Sequence, residues 1–277
     1  RGKEIQSNIT DNESAKMKTN RGVIQGYNGL AVADAKHQVI TAAEAFGTGQ
    51  EGELLEKMAE NTEENLKDIN GSTLEGKTLL ADTNYFSEDN LRKMAGKGIN
   101  AVIPDQQFRK RDVRFKDADL HKPEKQGLYD REKDFRYDEK RDVYVCPRKK
   151  VLKFGTVVKI GKYTMRKYLC RKSWCDACSK REKCIPSDKS RYRTLLKPIR
   201  VENRNYSDEM RKLIDTPEGR ELYSKRMGII EPVFANMTYC KKMNRFTMRG
   251  KTKVNIQWLL YCTVHNIGKI QKFGKLK

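Results

Sequence analysis

The run YNGLAVADAKHQVITAAEAF, residues 27 to 46, alternates Ala, Val and Ile on both sides of the polar tetrad from Asp34 to His37, which predicts two strands joined as a hairpin. The next stretch, GQEGELLEKMAENTEENL (49 to 66), spaces Leu54, Leu55 and Met58 along one helical face and leaves acids elsewhere. KTLLAD (77 to 82) is a short apolar run of strand character. Ser87 heads SEDNLRKMAGKG, whose capping residue and closing Gly96 and Gly98 predict a helix. INAVIP (99 to 104) is a second apolar strand, ended by Pro104. Hairpin, helix, strand, helix, strand is the order of an α/β sheet whose last two strands run parallel.

The pattern breaks after Pro104. Residues 105 to 150 are dense in charge of both signs, as in an insertion, and are followed by two β-like runs, VLKFGTVVKIG and KYTMRKYLC, and a cluster of cysteines. From Thr216 the period turns helical, placing Leu222, Met227, Ile230, Phe234 and Met237 on one apolar stripe, and 254 to 270 predicts a last, largely apolar helix. The expected organisation is a first core segment over 1–104, a basic insertion over 105–205 and a helical return to the core over 206–277.

Composition narrows the functional classes. The chain has 277 residues and a formal charge of +21, carried unevenly: residues 141–200 hold 19 Lys and Arg against 4 Asp and Glu, and 241–277 hold 10 against none. Two local cationic segments fit a polyanionic partner, because each neutralised phosphate releases condensed counterions. DNA is the expected partner. No apolar run is long enough to span a bilayer, no secretory signal is present and no basic segment carries a strong amphipathic stripe, so no membrane partner is expected. Seven clustered cysteines point to a reducing compartment, and the expected location is the cytoplasm, at the nucleoid.

Two carboxylates stand out. Asp82 ends an apolar strand in an open α/β sheet, the edge where such folds place ligands, although a turn or helix-capping Asp has the same local signature. Glu231 lies in the helical segment after Thr216, with Tyr223 and Arg226 one to two turns earlier. Carboxylates on a strand end and a facing helix suit a hard divalent ion, whereas an exposed helix Glu is the plainer reading. Cys175-x2-Cys178-x5-Cys184 with the earlier Cys146 supplies four thiolates of zinc-site spacing, against the alternative of reduced structural cysteines. Cys170 ends a strand and reads as core, as do Cys240 and Cys262. His37, His121 and His265 are isolated. Arg171 and Lys172, beside Trp174, and Lys241, Lys242 and Arg245 mix cations with aromatics in the manner of phosphate contacts.

LLADTNYFSEDNLRKMAGKGINAVIP followed by FRKRD, and GRELYSKRMGIIEPVFANMTY followed by HNIGKI, resemble DDE-type transposases of bacterial insertion sequences, in the branch with a large insertion before the last acid. NITDNESAKM and GVIQGYNGLAVADAKHQVI resemble the same branch, so the likeness covers nearly the whole chain. It implies an RNase H-like mixed sheet with flanking helices and a homo-oligomer that cuts and rejoins insertion-sequence ends and target DNA with three acids and two Mg²⁺ (or Mn²⁺) ions. By position Asp82 matches the second acid, Glu231 the third, and Tyr223 and Arg226 the pair that contacts phosphate near the cut. Two positions depart from the family: Asn84 replaces a Gly, and Thr238 replaces a Lys. The strand bearing the first acid has no counterpart here, Asp11 and Asp34 being poor substitutes, so the chain is expected to lack its N-terminal part. The alternative class is a non-catalytic, zinc-stabilised nucleic-acid-binding remnant.

Overall fold

The computed structural model describes residues 8–19, 22–67, 69, 71, 73–115, 134–160, 163–185, 187, 190–199 and 204–274. Of the positions named above, His121 lies outside the described residues. The chain divides into two compact units, Arg1–Lys116 with Asn205–Lys277, and Asp117–Arg204.

The first unit opens with an antiparallel pair that sequence reading did not assign, β1 (Ala15–Thr19) and β2 (Gly22–Gly26). The expected hairpin follows as β3 (Asn28–Ala33) and β4 (Ile40–Phe46), with Asn28 opposite Phe46. Its turn is built by Asp34, whose carboxylate accepts the N–H groups of Lys36, His37 and Val39 at 2.9, 2.8 and 2.5 Å. Those three bonds stabilise the turn and leave Asp34 a structural residue. A 3₁₀ turn, Glu51–Leu54, leads into α1 (Leu55–Leu66). β5 (Thr78–Leu80) and β6 (Asn100–Val102) pair in parallel across α2 (Glu88–Gly96), whose Ser87 accepts the Asn90 N–H at 3.1 Å. Gly98, at φ +69, reverses the chain between α2 and β6 in a conformation that glycine adopts without strain.

Among the described residues β3–β4 and β5–β6 remain separate two-stranded sheets. Helix α1 serves both. Leu55 and Ala59 join the core of Ala81, Leu91, Met94, Val102 and Ile103, while Met58 joins Ala42 and Phe46 of the hairpin. Positions 55 and 59 lie one turn apart on one stripe and 58 beside it, so one helix supplies both contacts.

The second unit carries β7 (Arg136–Asp138), β8 (Val143–Val145), β9 (Val151–Ile160), β10 (Tyr163–Cys170), two short helices α3 (Lys172–Asp176) and α4 (Arg181–Cys184), and β11 (Thr194–Pro198). The strands form an antiparallel sheet in the order β11-β10-β9-β8-β7. Leu152, Tyr168, Tyr144, Phe135 and Leu195 make its core together with Cys170 and Cys175. Asp142, with φ at +47, accepts the hydroxyls of Tyr137 and Tyr168 at 2.8 and 2.7 Å and pairs with Arg166 at 2.5 Å.

The C-terminal helices return to the first unit. α5 (Tyr206–Asp215), which sequence reading missed, buries Met210 and Ile214 one turn apart. α6 (Pro217–Ala235) starts on Thr216, whose hydroxyl accepts the Gly219 N–H at 3.0 Å, and runs into a π-helical turn, Asn236–Cys240. A side chain at Gly219 would put its Cβ 2.0 Å from the Leu213 carbonyl oxygen, so the tight α5–α6 corner requires glycine. Two expectations fail on this helix. Met227 is exposed rather than in the apolar stripe, because the stripe that packs consists of Leu222, Ile230, Val233, Phe234 and Met237. Cys240 is exposed rather than buried, because the π turn carries it outward.

α7 (Lys251–Phe273) closes the hairpin edge. Asn255 Oδ1 accepts the Ala45 N–H, and Asn266 both accepts from and donates to the backbone of Ile40, each at 2.8 Å. Side chains thus satisfy strand groups that would otherwise invite another strand. Trp258 donates to the Leu30 carbonyl at 2.8 Å, and buried His265 meets the Gln38 carbonyl at 2.9 Å. Burial holds the His265 pKa below its ordinary value, in keeping with a structural imidazole. Among the described residues no helix is long and apolar enough to cross a membrane.

Candidate acid site and cationic surfaces

Asp82 leaves β5 two residues past its last ladder position. Its carboxylate accepts the Thr83 N–H at 2.5 Å and the Thr83 hydroxyl at 3.2 Å, so the capping reading of this residue is correct. Capping and ligand roles are compatible, since a carboxylate has about four lone-pair sites. The half-buried Asp82 charge is felt by three neighbours. Burial, and after it Asp82, raises the pKa of Glu51; burial and the charges of Glu51 and Asp82 raise that of Tyr85. Tyr223 is raised by burial and by Asp82, against the opposing pull of Arg226. Glu51 is the residue the sequence did not reveal: it lies at the head of an amphipathic segment, and only the turn Glu51–Leu54 brings it to Asp82.

Helix α6 supplies the other half of the site. Tyr223 packs against the β5–β6 core and meets Phe108 edge-on at 5.5 Å. The Arg226 guanidinium lies 5.8 Å from the Tyr223 ring centre and 3.8 Å from Glu231 Oε1. Arg226 is 19% exposed and Glu231 57%. The Arg226 Nε atom is buried and has no hydrogen-bond partner. Asp82, Tyr223, Arg226 and Glu231 therefore form a relay of neighbours, in which Glu231 faces solvent and Arg226.

A charge network sets the α6 axis. Arg111 grips Asp105 through two bonds of 2.9 and 2.6 Å and reaches Asp215 at 2.6 Å. Arg220 bridges Asp112 at 2.8 Å and Asp215 at 3.3 Å. Arg111 holds the Asp105 pKa below its ordinary value, and Arg114 with Arg220 holds Asp112 at about 2. The strand that follows α2 is thereby tied to the helix that carries Tyr223 and Arg226.

Lys241, Lys242 and Arg245 follow the π turn directly, and Lys242 sits at φ +59. Arg245 and Arg249 line a groove of about 910 Å³ together with Phe234, Phe246 and Trp258, facing Tyr27 and Asp11. Asp11 accepts the Tyr27 hydroxyl at 2.6 Å and the Gly250 N–H at 3.0 Å, a tie between the N-terminal segment and the start of α7. In the second unit Arg171 covers the Trp174 ring at 5.2 Å, and Lys172 is exposed beside it.

Among the described residues no three His, Cys, Asp or Glu side chains are grouped so as to hold an ion. Asp82 and Glu231 are carboxylates, the donor class that a hard divalent ion takes, with Glu51 near Asp82 and Arg226 beside Glu231. No disulfide joins any two of the seven cysteines.

Residues 145–271 match a family model described as "Transposase DDE domain". The matched stretch contains the cysteines from Cys146 onward, Tyr223, Arg226 and Glu231, and excludes Asp82. No curated protein and no solved structure matches the chain. The family works on DNA and uses divalent metal. With a helix presenting Tyr, Arg and Glu inside the matched stretch, residues 145–271 of this chain are similar to the DDE domain of transposases.

Proposed function

We propose that the chain belongs to the DNA strand-cleaving and strand-transferring machinery of a bacterial insertion sequence, with Asp82 and Glu231 as its second and third acids, Mg²⁺ or Mn²⁺ as its ion, and insertion-sequence ends and target DNA as substrates. One observation carries the reading: Tyr223, on the helix that bears Glu231, packs against the core that includes Ala81, the residue before Asp82, so the strand end and the helix adjoin each other. Arg226, 19% exposed and paired with Glu231, then offers its guanidinium to a DNA phosphate beside the acids. Tyr223 gives that guanidinium a ring to rest on. Lys241, Lys242 and Arg245, with Arg171 and Lys172 of the other unit, contact backbone phosphates, which orient DNA without reading its sequence. A homo-oligomer is the working form.

A second reading is a DNA-binding protein without catalysis. It is favoured by Glu231, which lies mostly in solvent and pairs with Arg226 rather than with another acid. Nicking of supercoiled DNA separates the two. Cleavage that requires Mg²⁺ or Mn²⁺ and vanishes in Asp82→Ala, with DNA binding retained, supports the first reading. Tight DNA binding with no cleavage under any divalent ion supports the second.

A further inference from the structure

We propose that the outer face of α7 is a homodimer interface, on which a second copy of this chain packs antiparallel with Leu260 of each copy against Ile267 of the other. α7 is apolar on two sides. Val254, Trp258 and Cys262 are buried in one cluster with Ile40 and Ala45 of the hairpin. On the other side Ile256, Leu259, Leu260, Val264, Ile267 and Ile270 stand between 40% and 62% exposed. A helix that is apolar all round is a helix covered on every side, and an open apolar strip of this length marks an interaction surface.

The spacing identifies the occupant. Positions 256, 260, 263, 267 and 270 advance by four, three, four and three residues, the seam along which one helix packs on another. Their order reads nearly the same from either end about Thr263. Two antiparallel copies centred there set Ile256 against Ile270, Leu260 against Ile267 and Thr263 against itself, the self-complementary patch that a two-fold axis needs. Thr263 is the polar member of the seam, and its hydroxyl already donates to the Leu259 carbonyl at 2.9 Å, so it brings in no unmet donor. The flanking positions Gln257, Leu259, Val264, Asn266 and Gln271 carry no charge, although residues 241–277 hold ten Lys and Arg and no acid. Lys269 is drawn to the hairpin side, where it donates to Gln38 Oε1 at 2.8 Å. Like charges are therefore absent from the contact itself.

Two such strips face to face bury about 1,100 Å² in all, just past the roughly 1,000 Å² that a specific interface clears. α7 is already folded against its own hairpin, so pairing costs no helix formation. The formal charge of +21 on each copy repels the other at longer range. Affinity is accordingly modest and rises with salt, the opposite of DNA binding, which salt weakens. The interface gives a surface to the homo-oligomer of the proposed function and rests on that reading for its purpose, though not for its geometry.

The test is the mass of the full chain, freed of nucleic acid by nuclease, in the analytical ultracentrifuge over a range of concentrations and salt. Wild type should shift from 32.2 kDa toward twice that mass, and further at higher salt. Leu260→Lys alone and Ile267→Glu alone should each weaken pairing by roughly tenfold or more, since each puts a charge into the apolar seam. Mixed together, the two variants should pair again, because an antiparallel contact sets the introduced amine against the introduced carboxylate and a parallel one does not. Both positions are exposed, so both variants should fold; circular dichroism checks this, and the wild-type mass carries the test alone if either does not. Folded wild type that stays at 32.2 kDa throughout overturns the proposal, as does association that survives both substitutions or that mixing fails to restore. A monomer that still nicks DNA with a divalent ion overturns the interface and leaves the chemistry standing; a dimer without nicking does the reverse.

Discussion

Asp82 and Glu231 occupy opposite kinds of ground. Asp82 is placed by backbone: a parallel strand pair ends, the carboxylate caps the next turn, and Glu51, Tyr85 and Tyr223 surround it. Glu231 is placed by the rotation of one helix and stands mostly in solvent with Arg226 as its partner. The comparison teaches that a strand end locates an acid to within a bond or two, whereas a helix acid depends on everything that sets the helix axis. Here that is the Arg111 and Arg220 network.

The difference can be broken first at the core. Ile103, fully buried beside the end of β6, should cost about 2–5 kcal/mol when changed to Ala. Met227→Ala, on the solvent side of α6, should stay within about 0.5 kcal/mol. Urea denaturation measures both, and equal effects would mean that α6 is seated differently.

Arg111→Met should cost about 2 kcal/mol, because it strands Asp105 and releases Asp215 together. Equilibrium unfolding reads that loss, and nicking assays should show the variant impaired beyond its stability loss, since the α6 axis shifts.

Acid acts on the same network. Asp105 and Asp112 have depressed pKa values in the folded chain, Asp112 at about 2, so their stabilisation is complete above the unfolded value near 4 and disappears as pH falls toward 2. Midpoints measured from pH 7 downward should hold level to about pH 5 and then drop. A stability that rises on acidification over that window would contradict the assignment.

The smallest effect is on DNA. Lys242→Ala should lower the salt slope of binding by about 1, equally on any sequence, as for one phosphate contact. Fluorescence anisotropy at several salt concentrations gives the slope.

Several elements were legible because one local rule settled them. Alternation around Asp34 gave the hairpin, Ser87 and Gly98 bounded α2, and the apolar runs at 78 to 80 and 100 to 102 gave the parallel pair. The β1–β2 hairpin escaped because Lys16, Lys18 and Val23 to Gln25 are exposed, leaving Met17 as a lone buried position between two lysines. α5 was missed although Met210 and Ile214 stand one turn apart, because the charged residues around them resemble the preceding insertion. Cys240 followed the helical period on paper and left it at the π turn. In the site, Asp82 was legible from the end of an apolar strand, while Glu51 was invisible, since its meeting with Asp82 is tertiary.

The central claim, that Asp82 and Glu231 share one divalent ion, is tested most directly by Mn²⁺ titration followed by electron paramagnetic resonance, on wild type, Asp82→Ala, Glu231→Ala and the double variant. A shared ion predicts that each single change abolishes the same site and that the double change removes nothing more. Losses that add, or Mn²⁺ binding untouched by Glu231→Ala, would contradict it.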